Sequence, residues 1–135
     1  MSDNLIRPSK CEIRMTLEKG WGVFAIDKIF EGEVIEDCNL LFIPQDSLDK
    51  NTQLFIDYRF NWPQGHTPVS QVLPLGYGCI YNHSDDNNAF WRDHPDIPKI
   101  FQFVAKRDIE PEEEICTYYG DMNYWSDGRQ HTNVV

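Results

Sequence analysis

The chain has 135 residues, room for one compact domain, since two would each approach the size at which a core becomes marginal. Hydrophobic residues at 41% and aromatics at 13% supply a core, which excludes a disordered chain. With 12 basic and 22 acidic residues the net charge is −10, which repels phosphate backbones and favours a basic protein or peptide partner, although acid in excess also simply confers solubility.

Met1 to Lys10 has no apolar run of a signal peptide, and nowhere do about 18 consecutive apolar residues occur to span a bilayer. Cys11, Cys38, Cys79 and Cys116 lie far apart, without the short paired spacings of a structural zinc site or a disulfide scaffold. The expectation is a soluble intracellular protein with reduced thiols. No internal repeat or low-complexity stretch stands out.

In chain order, Gly22-Val23-Phe24-Ala25-Ile26 is a short apolar run after Gly20. Glu33-Val34-Ile35-Glu36-Asp37-Cys38 alternates after a Glu31-Gly32 turn signal. Both predict strands. Leu40-Leu41-Phe42-Ile43 predicts another extended run that Pro44 closes by removing a backbone donor. Leu48, Leu54, Phe55 and Tyr58 leave a partly helical pattern between Asp46 and Phe60, predicting a loop and a short helix. Pro63, Gly65 and Pro68 make a loop, and Pro74, Gly76 and Gly78 forbid a long regular element between Val72 and Tyr81. Ile100 to Ala105 alternates like a strand, and Pro111 to Glu114 turns into Ile115-Cys116-Thr117-Tyr118-Tyr119.

Three elements carry chemistry. Gly20-Trp21-Gly22 brackets an aromatic residue with glycines beside a strand, where backbone can approach a ligand or simply turn around a packed tryptophan. It lacks the third glycine and following helix of a dinucleotide fingerprint. Tyr81-Asn82-His83-Ser84, running into Asp85-Asp86-Asn87-Asn88, sets polar groups directly after an apolar stretch; a ligand site and an Asx-type turn both account for it. Glu114 to Tyr119, followed by Tyr124-Trp125, ends a strand in aromatics, a pattern that packing alone also produces. His66, His83 and His94 have irregular spacing, so a hydrolytic metal centre is a weak alternative and loop roles suffice for His66 and His94.

Together and in this order, from about Lys19 to Trp125, these elements resemble the SET-domain family of protein lysine methyltransferases, nearest to its short viral and bacterial types without flanking zinc modules. The resemblance implies a mainly β fold of several small sheets with short helices and a C-terminal pseudoknot, in one domain whose core runs from about 10 to 125. It implies S-adenosylmethionine as methyl donor and no metal, with Gly20, Trp21, Gly22, Tyr58, Asn82, His83 and Tyr119 around the donor. Tyr119 would also be catalytic, and Tyr77, Tyr118 and Trp125 would line the channel for the substrate lysine. The implied partner is a lysine-containing protein, a histone tail among the candidates, with neither nucleic acid nor membrane.

This sequence departs from the family pattern at Thr117, where a tyrosine is common, at Asn87-Asn88 in place of proline and asparagine, and at Glu112 in place of glycine. No cysteine cluster follows Trp125, which leaves a lid to Tyr124-Trp125 or to a second subunit of a homodimer. The competing reading from another class is a silent module of the same fold that binds a lysine-containing peptide. Methylation of a non-histone protein is the alternative among enzymes.

Overall fold

The computed structural model describes residues 5–43, 59–63 and 70–118. Among them the chain forms nine strands and no helix: β1 (Cys11–Met15), β2 (Trp21–Ala25), β3 (Val34–Ile43), β4 (Phe60–Trp62), β5 (Ser70–Pro74), β6 (Asn82–His83), β7 (Ala89–Asp93), β8 (Ile100–Ala105) and β9 (Glu114–Thr117). They assemble into a four-stranded sheet in the order β1-β2-β9-β6 and a five-stranded sheet in the order β4-β5-β3-β8-β7. This is the mainly β architecture of small sheets that the resemblance implied. The short helix expected between Asp46 and Phe60 lies outside the described residues, except that Phe60 itself opens β4.

Local chemistry explains the β1–β2 hairpin. Thr16 donates through both its backbone N, at 2.6 Å, and its hydroxyl, at 2.7 Å, to Gly20 O, and Lys19 N donates back to Thr16 Oγ1 at 2.8 Å. Gly20 has φ +75°, a left-handed conformation in which an L side chain would be strained. The two apolar runs expected after Gly32 are one strand, β3, because Asn39 pairs with Ile100 and Leu40 with Pro74, so the chain crosses from one neighbour to the other without a break.

A bulge between Val34 and Glu36 interrupts the alternation of β3, and Ile35 and Glu36 are both buried as a result. β8 departs from its expected alternation for a different reason. It lies between β3 and β7 and is covered on both faces, so all six of its residues are buried. Its one polar residue, Gln102, accepts from Arg92 Nε at 2.9 Å. Around it, Phe103 stacks on Tyr81 at 4.6 Å between centroids, and Phe60 meets Trp91 edge-on at 4.8 Å.

The structure also contains a repeat that the sequence does not announce. Residues 25–35 and 105–115 fold alike, with Ala25 matching Ala105, Ile29 matching Ile109 and Ile35 matching Ile115. Ile29 and Ile109 exchange both backbone bonds, at 2.9 and 2.8 Å. Ala25 N donates to Glu113 O while Ala105 N donates to Glu33 O, and Gly32 N donates to Ala105 O while Glu112 N donates to Ala25 O. Even the side-chain caps correspond: Glu33 Oε1 accepts from Phe30 N and Glu113 Oε1 from Glu110 N. Besides the capping glutamates at 33 and 113, only buried alanine and isoleucine positions are held in common, too sparse a set for the sequence reading to find a repeat. The two turns interlock about the Ile29–Ile109 bridge, bringing β9 beside β2.

Candidate functional site

The site lies where β2, β9 and β6 meet. β9 pairs antiparallel with β2, Val23 opposite Ile115 and Phe24 opposite Glu114, and parallel with β6, Asn82 opposite Cys116 and His83 opposite Thr117. Three stretches far apart in the chain thereby become neighbours. Asn82 Nδ2 donates to Trp21 O at 3.1 Å and to Glu114 Oε2 at 2.8 Å. The other carboxylate oxygen, Glu114 Oε1, accepts from Lys19 Nζ at 2.5 Å, and the two side chains are only 13% and 7% exposed. Gly22 is required here by space, since a Cβ would stand 2.5 Å from Glu114 Oε2 and 3.0 Å from Asn82 Nδ2. Trp21 is more than half exposed beside this junction.

His83 is buried, its Nε2 2.8 Å from Asp85 Oδ1 and its ring tilted against Tyr118 with centroids 5.0 Å apart. The loop after it is tied to β9 along its length. Ser84 N donates to Thr117 O at 2.9 Å, and Asn88 acts as a substitute peptide, donating through Nδ2 to Glu114 O and accepting at Oδ1 from Cys116 N, both at 2.8 Å. Asn88 N adds a bond to Cys116 O, and Arg107 Nη1 donates to Asp86 Oδ1 and Asn87 O. The last described strand is therefore laid against the segment following Asn82-His83, the crossing expected of a C-terminal pseudoknot.

Of the residues singled out in the sequence, Gly20, Trp21, Gly22, Asn82, His83 and Tyr118 come together at this junction. Tyr58, Tyr119 and Trp125 lie outside the described residues. Tyr77 packs on the core at a different place, its backbone N donating to Glu36 Oε2 at 3.3 Å. His94 serves its turn, accepting at Nδ1 from Asp96 N and Ile97 N, and His66 is not among the described residues. No group of three or more His, Cys, Asp or Glu side chains among the described residues is arranged to hold a metal ion, and no helix there is long and apolar enough to cross a membrane.

Two groups escaped sequence reasoning. Lys19 and Glu114 stand in the sequence only as parts of motifs, and no local signal links them. Glu36 read as a strand residue, yet it is buried and accepts from Tyr81 Oη at 2.6 Å. Burial pushes its carboxyl above the ordinary range, and the bonds from Tyr81 and Tyr77 oppose that shift. Desolvation, reinforced by Glu36, likewise pushes the Cys11 thiol up to about 12, and burial takes Cys79 to about 11. These thiols are protonated and unreactive at neutral pH.

The SET domain family model matches residues 20–120. A histone-lysine N-methyltransferase of Schizosaccharomyces pombe, described as specific for lysine 37 of H3, is 31% identical over 121 residues, spanning 88% of this chain and 79% of its own. A crystal structure from Plasmodium falciparum, described as a candidate histone methyltransferase, superposes with a TM-score of 0.71 at 29% identity, covering 86% of this chain and 97% of that one.

Proposed function

The chain belongs to the SET-domain family, and from that membership we propose that it transfers a methyl group from S-adenosylmethionine to the side-chain amine of a lysine in a protein substrate. The observation that carries the reading is the Asn82 amide, which ties the backbone of Trp21 to β9 and so gathers the three sequence elements into one junction. The fit to such a donor is chemical as well. Glu114 and Trp21 O are both acceptors and claim the amide nitrogen, which leaves Asn82 Oδ1 to accept an N–H from a ligand. Gly22 keeps the backbone bare at the same point.

S-adenosylmethionine, when bound, supplies an electrophilic methyl on a sulfonium. The residues around it have placement as their main task, because holding two reactants in near-attack geometry lowers a barrier by about 7–11 kcal/mol. Gly20, Trp21, Gly22, Asn82 and His83 hold the donor, with Tyr58 and Tyr119 completing the contacts. Tyr119 is the catalytic residue, its phenol oxygen orienting the reacting groups through weak C–H contacts.

The substrate amine must first lose a proton, since an unperturbed lysine pKa of about 10.4 leaves it charged at neutral pH. An apolar aromatic channel disfavours the charged form. Tyr118, at the end of β9 against His83, and Trp125 suit that channel; for Tyr77, which packs on the core beside Glu36, only the family resemblance supports that role. The excess of acid works at longer range, attracting a basic protein and repelling nucleic acid. A histone tail is the first substrate to try, given the relative from fission yeast. We read residues from about 10 to 125 as one domain.

The test is transfer of labelled methyl from S-adenosylmethionine to a panel of lysine-rich proteins, histones included, with Tyr119→Phe and Asn82→Ala alongside. Labelled methyl-lysine that vanishes in both variants is the expected result. A wild-type protein that binds no donor would refute the reading.

A further inference from the structure

We infer that Lys19 and Glu114 act as a positioning pair: their buried ion pair fixes the Asn82 amide so that its oxygen faces the methyl donor. The inference rests on the donor-site reading above and adds to it two residues that make the site selective in geometry.

The argument starts from which atoms can do what. A carboxylate only accepts, and so does the carbonyl of Trp21, so the group between them must present its nitrogen to both. Asn82 does so at 2.8 and 3.1 Å. Without Glu114, one acceptor on the carbonyl side would be left, and rotation of the amide would cost a single neutral hydrogen bond. The carboxylate adds a charge-assisted one, about twice as strong.

Glu114 cannot hold that place alone. Its side chain is 13% exposed, and an isolated carboxylate so placed carries a desolvation cost that a partner must offset. Lys19 is the partner, itself 7% exposed and held in register by the bond from its own backbone N to Thr16 Oγ1. Each Glu114 oxygen thus has one side-chain partner, Lys19 on Oε1 and Asn82 on Oε2. Gly22 leaves the space through which the three groups meet, as a Cβ there would displace both Glu114 and Asn82. The competing account is a staple that merely joins the β1–β2 turn to β9. A staple would contribute to stability and would act independently of Asn82.

Calorimetric titration of S-adenosylmethionine, with a thermal melt of each protein, separates these accounts. Lys19→Met should weaken donor binding about 10- to 100-fold, the range expected when a polar contact is left misdirected. Lys19→Arg, which keeps the cation, should restore affinity to within about 3-fold. Lys19→Met combined with Glu114→Leu removes both charges and keeps the protein folded if the single variant is not, since apolar replacement of a buried pair is commonly tolerated. It should show the same loss of affinity. In an Asn82→Ala background, Lys19→Met should change affinity by less than about 3-fold, because the pair acts only through Asn82.

Equal affinity in wild type, Lys19→Met and the double variant would overturn the inference. So would an equal loss from Lys19→Met with and without Asn82. Failure of the wild type itself to bind the donor would overturn the donor-site reading, and the inference with it.

Discussion

Residues 25–35 and 105–115 share a fold but launch strands with different contents. The first leads into β3, where Glu36 is buried among neutral groups and takes its hydrogen bonds from Tyr81 Oη and Tyr77 N. The second leads into β9, where Glu114 meets Lys19 and Asn82 at the edge of the proposed donor site. Burial, opposed only by neutral donors, shifts the Glu36 carboxyl toward its protonated form, and that group serves the core. A carboxylate paired with a cation and touching an amide whose oxygen no described residue claims is suited to orient a ligand. The same backbone unit thus yields a structural element on one side and the proposed site on the other, and side-chain partners make the difference.

The largest effect that would sharpen this contrast is expected at Gly22. Gly22→Ala drives a methyl into Glu114 and Asn82, and a displacement of that size should reduce methyl transfer about 100-fold. Kinetic constants would detect it, and the urea midpoint of the same variant should fall as well, by the equivalent of about 1–3 kcal/mol for the overpacked contact. Tyr81→Phe tests the other half by leaving a buried acceptor on Glu36 without its phenol. It should lower unfolding free energy by about 1–3 kcal/mol in urea titration.

The pH dependence at Glu36 follows in sign from its raised native pKa. Folded protein holds that proton more tightly than unfolded chain does, so the contribution of Glu36 to stability is greatest at low pH. It is lost as pH rises from the unfolded carboxylate range through the native value. Melting temperatures of wild type and Glu36→Gln should therefore shift relative to each other in favour of the variant as pH rises over that window. A constant difference would deny Glu36 its protonated character. The smallest effect compares the two turns directly. Gly32 has φ +85° and Glu112 has φ +76° at the matching position. Gly32→Ala, which meets no neighbouring atom, should cost about 1–2 kcal/mol from backbone strain alone. Glu112→Gly should recover about 1 kcal/mol, less whatever the exposed pair with Arg14 contributes.

Short motifs made the site legible in outline. Gly20-Trp21-Gly22 and Asn82-His83-Ser84 are contiguous, and each keeps its character whatever surrounds it. Strands announced by an apolar or alternating run beside a turn signal, such as β2 and β3, were legible for the same reason. β1, β4, β5 and β7 were not: each is a strand through pairing with the strand next to it in the chain, β1 with β2, β4 with β5 and β7 with β8. Burial of Glu36 depends on a bulge, and burial of Gln102 on a sheet neighbour at either side. The Lys19–Glu114 pair joins residues that only the pairing of β2 with β9 brings together. Pairing at long range is what sequence patterning does not carry.

The most direct test of the donor site is a titration of isotopically labelled protein with S-adenosylmethionine, followed through backbone amide NMR shifts. Shifts concentrated on 19–22, 82–84 and 114–118, with Ile35, Glu36 and the strand around them unmoved, are predicted. Shifts centred on the Glu36 core, or none anywhere at saturating donor, would contradict the assignment of the donor site to the junction of β2, β9 and β6.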